Sequence, residues 1–258
     1  MQKRRLGQTE ILVSPIGLGT VKLGRNQGVR YPEHFDLPTD REIIILLDSA
    51  FELGINVLDT APAYGRSEER LGKYLQGKRH DWVISTKVGE SFINGQSHFD
   101  FSEQGIKTSI ESSLKRLGTD YLDIVLIHSD GQDEDLILNQ NVFEVLDKEK
   151  QKGKVRTFGM STKTIRGGLL TVDHADVVMV AFNINYTDEQ EVIIHAHQNN
   201  KGVFIKKALA SGHLSHKDAI DFVIKQKGVS SIIIGTINPS HLQENVKNVV
   251  LSPSDLSS

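Results

Sequence analysis

The chain has 258 residues, with 30 Lys and Arg against 33 Asp and Glu, a formal net charge of −3 and no cysteine. This balance lacks the basic excess of a nucleic-acid-binding domain, so we expect no nucleic-acid partner. The absence of cysteine excludes a disulfide framework, a thiolate metal site and a cysteine nucleophile. The length suits one large α/β domain or two smaller ones.

The apolar segments are too short for a membrane span. A membrane-spanning helix needs about 20 apolar residues, whereas the longest runs here are stretches such as Ile43–Leu47 and Val177–Phe182. The basic start, Gln2–Arg5, is followed by Leu-Gly-Gln-Thr-Glu and not by an apolar stretch, unlike a secretory signal. We therefore expect a soluble cytoplasmic protein that does not bind membranes.

The first predicted element is a hairpin, because Lys3–Leu6 and Ile11–Val13 flank the turn-like segment Gly7–Glu10. After it, short strand-like runs rich in β-branched or aromatic residues alternate with longer helical patterns. Several runs lack polar alternation, as strands buried on both faces do. The eight predicted strands are Ile16–Gly19, Val57–Asp59, Trp82–Thr86, Ile124–Ile127, Thr157–Met160, Val177–Phe182, Val203–Lys206 and Ser231–Ile234.

The segments between the strands have helical periodicity. Apolar residues fall on one stripe in Asp40–Leu53 and again in Ser102–Leu117, and Asp218–Gln226 and Ser240–Val249 supply the last two helices. Eight β-then-α cycles match a (β/α)₈ barrel better than an open doubly wound sheet. We predict an α/β fold, a TIM barrel plugged by the N-terminal hairpin, as a single domain over residues 1–258.

Four reactive side chains stand where such a barrel has its active site, at the C-terminal ends of the strands. Asp59 ends the second strand and Tyr64 follows it, while Lys87 and His128 end the third and fourth. A nearby ammonium lowers the pKa of a tyrosine from its usual value near 10, which suits a general acid. Asp59 would keep Lys87 charged, and His128 would orient a substrate oxygen. Together they predict proton transfer to a carbonyl oxygen, although each residue alone also suits an ordinary structural role.

A phosphate site is predicted after the eighth strand. The segment Gly235–Ser240 is a glycine-containing turn that leads into a helix N-terminus, where backbone N–H groups and the helix dipole favour an anion. An ordinary capped loop fits the same residues. The segment Gly17–Gly19 lacks the third glycine of a dinucleotide fingerprint. No His-x-His or HExxH pattern lies at a strand end, so no metal is expected.

The segment Gly54–Gly72, which contains Asp59 and Tyr64, resembles the first signature of the aldo-keto reductase family. The match to the family runs nearly end to end. The resemblance implies NAD(P)H-dependent reduction of a small aldehyde or ketone to an alcohol. The other segments that carry the match are Leu6–Thr20, Ile84–Lys87, Leu117–His128 and Gly153–Ser161.

The resemblance also assigns roles to the four strand-end residues. Tyr64 is the general acid that donates a proton to the carbonyl oxygen while hydride leaves C4 of the nicotinamide. Lys87 and Asp59 are the pair that tunes it, and His128 orients the carbonyl. All four positions of the family pattern are filled.

The cofactor implied by the resemblance is NADPH or NADH. Glu244 and Asn245 match a pair that contacts adenine. Gly235 stands where some members carry lysine and His241 where many carry arginine, whose fork suits phosphate better than neutral imidazole. We therefore expect tolerance of NADH or weak binding of NADPH. The expected cofactor-binding residues are Thr20, Ser161, Thr162, Met179, Lys206, Lys207, Leu209, Ser211, Gly212, Gly235, Thr236, Asn238, His241, Glu244 and Asn245.

The chain departs from the family pattern around the nicotinamide. Thr162 replaces the usual asparagine after Ser161, and Met179 replaces a glutamine that often holds the carboxamide. The stretch Lys206–Gly212 lacks the aromatic residue that commonly stacks on the nicotinamide ring. Its two lysines, Lys206 and Lys207, could instead contact the pyrophosphate; alternatively, one of them is simply solvated. The segment after Leu214 is short, and almost no C-terminal tail is left to cover the substrate. An open, permissive mouth is expected.

Two other functions remain open at this stage. A class I aldolase would use Lys87 as a Schiff base, which requires a depressed lysine pKa that a neighbouring Asp59 opposes. A non-catalytic NADP(H)-binding regulatory or sensor subunit would use the same fold. The default expectation for the oligomeric state is a monomer.

Overall fold

The computed structural model describes residues 1–29, 31, 34–210 and 216–250. The chain opens with the predicted antiparallel hairpin, formed by β1 (Arg4–Arg5) and β2 (Leu12–Val13). Leu6, between the two strands, is fully buried and packs against Gly202, the first residue of a barrel strand. The hairpin therefore plugs the N-terminal end of the barrel.

Eight parallel strands close into a barrel, which confirms the predicted fold class. The first and last strands along the chain also pair with each other, from Ile16 opposite Ile232 to Gly19 opposite Gly235. Most of the strands begin and end within two residues of their predicted bounds. The barrel strands are β3 (Ile16–Gly19), β4 (Val57–Asp59), β5 (Val83–Val88), β8 (Leu122–His128), β9 (Val155–Ser161), β10 (Val177–Ala181), β11 (Gly202–Lys206) and β12 (Ser231–Gly235).

Helices connect the strands, and their ends follow local sequence chemistry. Thr39 and Glu42 form a reciprocal capping box that starts the second helix, with Glu42 accepting from the Thr39 backbone N–H at 2.7 Å. Gly118, at φ +65°, ends the fourth helix in the left-handed conformation. No helix in the described ranges is long and apolar enough to cross a membrane. The helices are α1 (Val21–Gly24), α2 (Asp40–Glu52), α3 (Ser67–Tyr74), α4 (Glu103–Leu117), α5 (Asp133–Leu138), α6 (Val142–Gln151), α7 (Ile165–His174), α8 (Gln190–Gln198), α9 (His216–Ile224) and α10 (Pro239–Val250).

Two apolar clusters divide the core, because successive residues of a strand face opposite sides of the sheet. Leu126 and Phe204 belong to the cluster inside the barrel, and their neighbours Val125 and Ile205 belong to the cluster between the strands and the helices. The barrel interior is therefore filled with side chains. Asp59, Lys87 and His128, the predicted catalytic residues on strands, lie at or near the C-terminal ends of β4, β5 and β8.

A second antiparallel hairpin, absent from the predicted elements, follows β5. It consists of β6 (Glu90–Ile93) and β7 (Gln96–Phe99). Its two turn residues, Asn94 and Gly95, both have positive φ, +52° and +82°. Asn-Gly favours this kind of two-residue hairpin turn, so the dipeptide is the sequence signal that identifies the element.

Candidate active site

A buried ion pair joins two neighbouring strands at the barrel mouth. Lys87 on β5 donates to both carboxylate oxygens of Asp59, at 2.8 Å each, and to the Thr60 carbonyl at 2.9 Å. Asp59 is the last residue of β4, and Ser85 Oγ donates to its Oδ1 at 3.1 Å. Lys87 is 1% exposed and Asp59 is 4% exposed, so water competes little with these bonds.

This pairing decides the protonation state of Lys87. Burial disfavours the ammonium, but Asp59 and the Tyr64 phenol oppose that effect and leave the pKa of Lys87 above its ordinary value. An amine that attacks a carbonyl needs the opposite direction, a lowered pKa. The geometry therefore argues against the Schiff-base aldolase.

Tyr64 lies beside this ion pair. It ends a short 3₁₀ helix, Pro62–Tyr64, that follows β4, and its ring centroid lies 4.8 Å from Lys87 Nζ. Gly65 continues the chain at φ +59°, where a Cβ would lie 2.3 Å from the Gly24 carbonyl oxygen. The turn that carries Tyr64 thus requires glycine at its exit.

The pKa of Tyr64 moves in the direction opposite to the predicted one. Burial raises it, Lys87 lowers it and Asp59 raises it, and the net direction is upward. The expected lowering by Lys87 is present, but desolvation of the phenolate outweighs it. Tyr64 is therefore a protonated phenol at neutral pH, which is the state that a proton donor needs.

His128, the last residue of β8, faces the same point of the mouth. Its ring lies edge-on to Tyr64, with centroids 6.1 Å apart and planes at 88°. Its Nδ1 lies 2.7 Å from Oε2 of Glu90, the first residue of β6. Burial lowers the pKa of His128, although Glu90 opposes the shift. Glu90 is not among the sequence-predicted site residues, because the hairpin that carries it was not predicted.

Three of the expected cofactor-binding residues form one hydrogen-bonded group. Lys206, at the end of β11, donates to Ser161 Oγ at 2.9 Å and to the Thr162 carbonyl at 2.6 Å. Burial lowers the pKa of Lys206 to about 8, against the opposing effect of Glu189. Lys207 is exposed, with φ +58°. The two adjacent lysines place positive charge at one side of the mouth.

Several expected cofactor residues are wholly or partly buried. Thr20 is fully buried, and its hydroxyl donates to the Asp59 carbonyl at 2.9 Å. Met179 is 2% exposed in the interior cluster, and Asn245 is fully buried within α10. Leu209 is half-buried and packs against the outer core. Ser211 and Gly212 lie outside the described residues.

The turn before α10 is ordered by its own polar groups. Thr236 Oγ1 accepts from the Asn238 N–H at 3.0 Å, and Asn238 Oδ1 accepts from the Ser240 N–H at 2.9 Å. A Cβ on Gly235 would lie 2.9 Å from the Tyr31 hydroxyl and 3.7 Å from the Gly19 carbonyl oxygen, so a side chain at this position requires Tyr31 to shift. His241 and Glu244 are exposed on α10.

Hydrogen-bond donors and positively charged groups therefore lie on the side of the mouth formed by the end of β11 and the start of α10. The set comprises Lys206, Lys207 and the N-terminal turn of α10, and its chemistry fits an anionic dinucleotide. On the other side stand the phenol of Tyr64 and the imidazole of His128. The chemistry of the site as a whole fits a barrel enzyme that transfers a proton and binds an anionic cofactor.

The comparisons with known proteins agree with that class. A family model described as "Aldo/keto reductase family" matches residues 15–222. A solved structure from Pseudomonas aeruginosa, classed with the aldo-keto reductases, is 49% identical, covers 97% of this chain and 95% of its own, and has a TM-score of 0.90. The uncharacterized oxidoreductase YqkF of Bacillus subtilis is 28% identical over 96% of this chain and 90% of its own. The NADH-specific methylglyoxal reductase of Escherichia coli is 30% identical over 86% of this chain and 72% of its own.

The chain belongs to the aldo-keto reductase family. It is an NAD(P)H-dependent oxidoreductase that acts on small carbonyl compounds. The fold, the family and the reaction class predicted from the sequence are confirmed.

Proposed function

We propose that Tyr64 is the proton donor when this enzyme reduces an aldehyde or ketone to the alcohol. The observation that carries this proposal is the position of the Tyr64 phenol, which lies beside the buried Lys87–Asp59 pair and edge-on to His128. When bound, the reduced nicotinamide supplies the hydride that adds to the carbonyl carbon. The Tyr64 O–H bond breaks as its proton passes to the carbonyl oxygen, and the alcohol is complete.

Lys87 stabilises the phenolate that proton transfer leaves behind. Its ammonium is already held by three acceptors before substrate arrives, so it does not reorganise when charge develops on Tyr64. Asp59 keeps the ammonium charged and restricts its direction. Tyr64 can therefore have a raised pKa before the reaction and still donate its proton, because the positive charge of Lys87 stabilises the phenolate and not the neutral phenol.

We also propose that Lys206 and Lys207 bind the pyrophosphate of the cofactor, and that Thr236 and Asn238 shape the turn at its adenosine end. Two ammonium groups at one strand end suit two negatively charged phosphates. Ser161 and the Thr162 carbonyl orient Lys206 for this role.

NADH is the cofactor that this site accommodates as readily as NADPH. His241 is exposed at the position where an arginine would grip the 2′-phosphate and lacks the guanidinium fork, and Gly235 has no side chain to contact that phosphate. The similarity to a methylglyoxal reductase that is specific for NADH agrees with this proposal. A strong preference for NADPH in both affinity and turnover would overturn it.

The experiment that tests the function follows the oxidation of reduced cofactor against a panel of small aldehydes and ketones, with NADH and NADPH in parallel. We expect turnover of at least one carbonyl compound with both cofactors. Borohydride trapping in the presence of the same panel should yield no lysine adduct. A Lys87 adduct would instead establish the aldolase, and cofactor binding without any turnover would indicate a binding subunit.

A further inference from the structure

Three buried hydroxyl groups form a hydrogen-bonded chain next to the Lys87–Asp59 pair. Thr60 Oγ1 donates to Ser67 Oγ at 3.1 Å. Ser67 Oγ donates towards Thr20, whose Oγ1 lies at 2.8 Å and whose carbonyl oxygen lies at 3.0 Å. Thr20 Oγ1 donates in turn to the Asp59 carbonyl at 2.9 Å. The chain thus begins on the residue that follows Asp59 and returns to Asp59 itself.

The hydroxyl groups come from three different elements of the fold. Thr20 follows β3, Thr60 follows β4, and Ser67 is the first residue of α3. All three residues are fully buried, so water does not compete for their hydrogen bonds. The backbone N–H of Thr20 also donates to the Asp59 carbonyl, and that of Thr60 donates to the Ser85 carbonyl on β5. These bonds hold the end of β4 between its neighbouring strands and α3.

The same segment supplies every acceptor that Lys87 uses in this structure. The ammonium donates to the two carboxylate oxygens of Asp59 and to the carbonyl oxygen of Thr60. Ser67 lies three residues after Tyr64, so the hydroxyl chain also ties the turn that carries the phenol to this strand end. A shift of Thr60 relative to Ser67 therefore changes the separation of the ammonium and the phenol.

Packing alone does not explain a hydroxyl group at Thr60. Valine has the same branched shape as threonine and would fill the space without a polar atom that needs a partner. The hydroxyl instead gives the strand end a directed contact to α3, at 3.1 Å from Ser67 Oγ. A hydrogen bond fixes a direction that an apolar contact leaves free.

We propose that Thr60 and Ser67 are positioning residues, which hold the acceptors of Lys87, and with them its ammonium, at the place beside Tyr64 that proton transfer requires. This inference rests on the proposed function. A misplacement of about 1 Å in an active site can cost about 100-fold in rate. The hydroxyl chain forms without substrate or cofactor, so its loss should lower kcat and leave KM unchanged.

The first test compares Thr60→Val with Thr60→Ser in carbonyl reduction. We expect Thr60→Val to lower kcat about tenfold, with KM and the dissociation constant of NADH unchanged. Thr60→Ser keeps the hydroxyl and should retain the unmodified kcat. Single turnovers of bound NADH show whether the loss lies in the chemical step. An unchanged kcat in Thr60→Val, or the same loss in Thr60→Ser, would overturn the proposal.

Thr157→Val is the matched control for a merely structural effect. Thr157 is 1% exposed in the first half of β9, and its hydroxyl donates to Asp176 Oδ2 at 2.7 Å. The substitution therefore removes a buried hydroxyl and its bond far along the chain from Thr60. We expect a lower thermal unfolding midpoint and an unchanged kcat. A loss of kcat equal to that of Thr60→Val would assign the effect to stability and contradict a positioning role.

A double mutant separates this inference from the proposed function. Because Thr60 acts through Lys87 and Tyr64, Thr60→Val should cause no further loss of kcat in a Tyr64→Phe enzyme. A further tenfold loss there would refute the positioning role. Reduction at the unmodified rate in Tyr64→Phe alone would refute the proposed function instead.

A measurement without turnover decides the positioning role in either case. Nitrogen-15 NMR of the Lys87 ammonium, assigned by its loss in Lys87→Arg, reports on the hydrogen bonds of Nζ. We expect the signal to shift in Thr60→Val and to stay in place in Thr60→Ser. A signal that stays in place in both variants would contradict the proposal. If Thr60→Val fails to fold, Ser67→Ala breaks the same chain from α3 and takes its place in each test.

Discussion

The Lys87 ammonium donates to both carboxylate oxygens of Asp59 at 2.8 Å, in a position where neither residue has more than 4% of its surface exposed. Two buried charges offset each other only while both are present. In the proposed mechanism the pair serves stability and chemistry at once, since the same ammonium stabilises the Tyr64 phenolate.

Asp59→Asn should damage both properties. Removing one partner of a buried ion pair leaves an uncompensated charge, and we expect the free energy of unfolding to fall by about 3 to 5 kcal/mol. Carbonyl reduction should fall by about 100-fold or more, because Lys87 is no longer held charged beside Tyr64. Denaturant unfolding and steady-state kinetics measure the two effects.

The control for Asp59→Asn is an exposed ion pair. Glu69 lies 3.4 Å from Arg66, with both side chains at least half exposed. Glu69→Gln should change the free energy of unfolding by less than about 1 kcal/mol, and carbonyl reduction should not change. Equal losses of stability and activity in Asp59→Asn and Glu69→Gln would show that the buried Lys87–Asp59 pair contributes no more than an exposed ion pair.

Lys206 should make cofactor binding sensitive to pH. Its pKa is about 8, so the ammonium loses its proton as the pH rises through that value, and the dissociation constant of NADH should rise with it. Lys206→Met should weaken NADH binding by about tenfold at neutral pH and remove this dependence. Fluorescence titration from pH 6 to about 10 measures both.

Lys201→Met is the matched control, because Lys201 lies just before the opposite end of β11. Its cofactor affinity and pH profile should equal those of the unmodified enzyme. A Lys206→Met enzyme that binds NADH with unchanged affinity would show that the lysine does not contact the pyrophosphate.

His241→Arg should create a preference for NADPH. The guanidinium offers a forked set of donors that matches a phosphate, and His241 lies exposed in the first turn of α10. We expect the dissociation constant of NADPH to fall about tenfold and that of NADH to stay the same. His197→Arg, in the last turn of α8, adds the same charge elsewhere and should change neither constant.

Gly118→Ala tests the helix ending without touching the site. Gly118 has φ +65° and no atom within 4 Å of the place where a Cβ would lie, so the cost is conformational only. We expect the free energy of unfolding to fall by about 1 kcal/mol, and by less in Gly118→Asn, since asparagine tolerates this conformation better. An unchanged midpoint in urea for Gly118→Ala would contradict this.

Most of the framework could be predicted from the sequence because its signals are local. Buried parallel strands such as Val57–Asp59 and Val177–Ala181 are short apolar runs, and their ends locate Asp59 and His128 at the mouth. Counting the strand and helix cycles was enough to define the barrel.

The rest depends on tertiary environment. The pKa of Tyr64 is raised because segments distant in the chain bury its side chain. A count of nearby charges in the sequence cannot reveal that burial. The contact between Glu90 and His128 depends on a hairpin whose only strong signal is Asn94-Gly95. The hydrogen bond from the Thr20 hydroxyl to the Asp59 carbonyl joins residues that are far apart in the sequence, so the sequence alone does not reveal it.

The most direct test of the central claim is carbonyl reduction by Tyr64→Phe, with cofactor affinity and thermal unfolding measured on the same preparation. Phenylalanine keeps the ring against His128 and removes only the hydroxyl. We predict that kcat falls by about 100-fold or more, while NADH binding and the unfolding midpoint do not change. Reduction at the unmodified rate would show that the proton does not come from Tyr64.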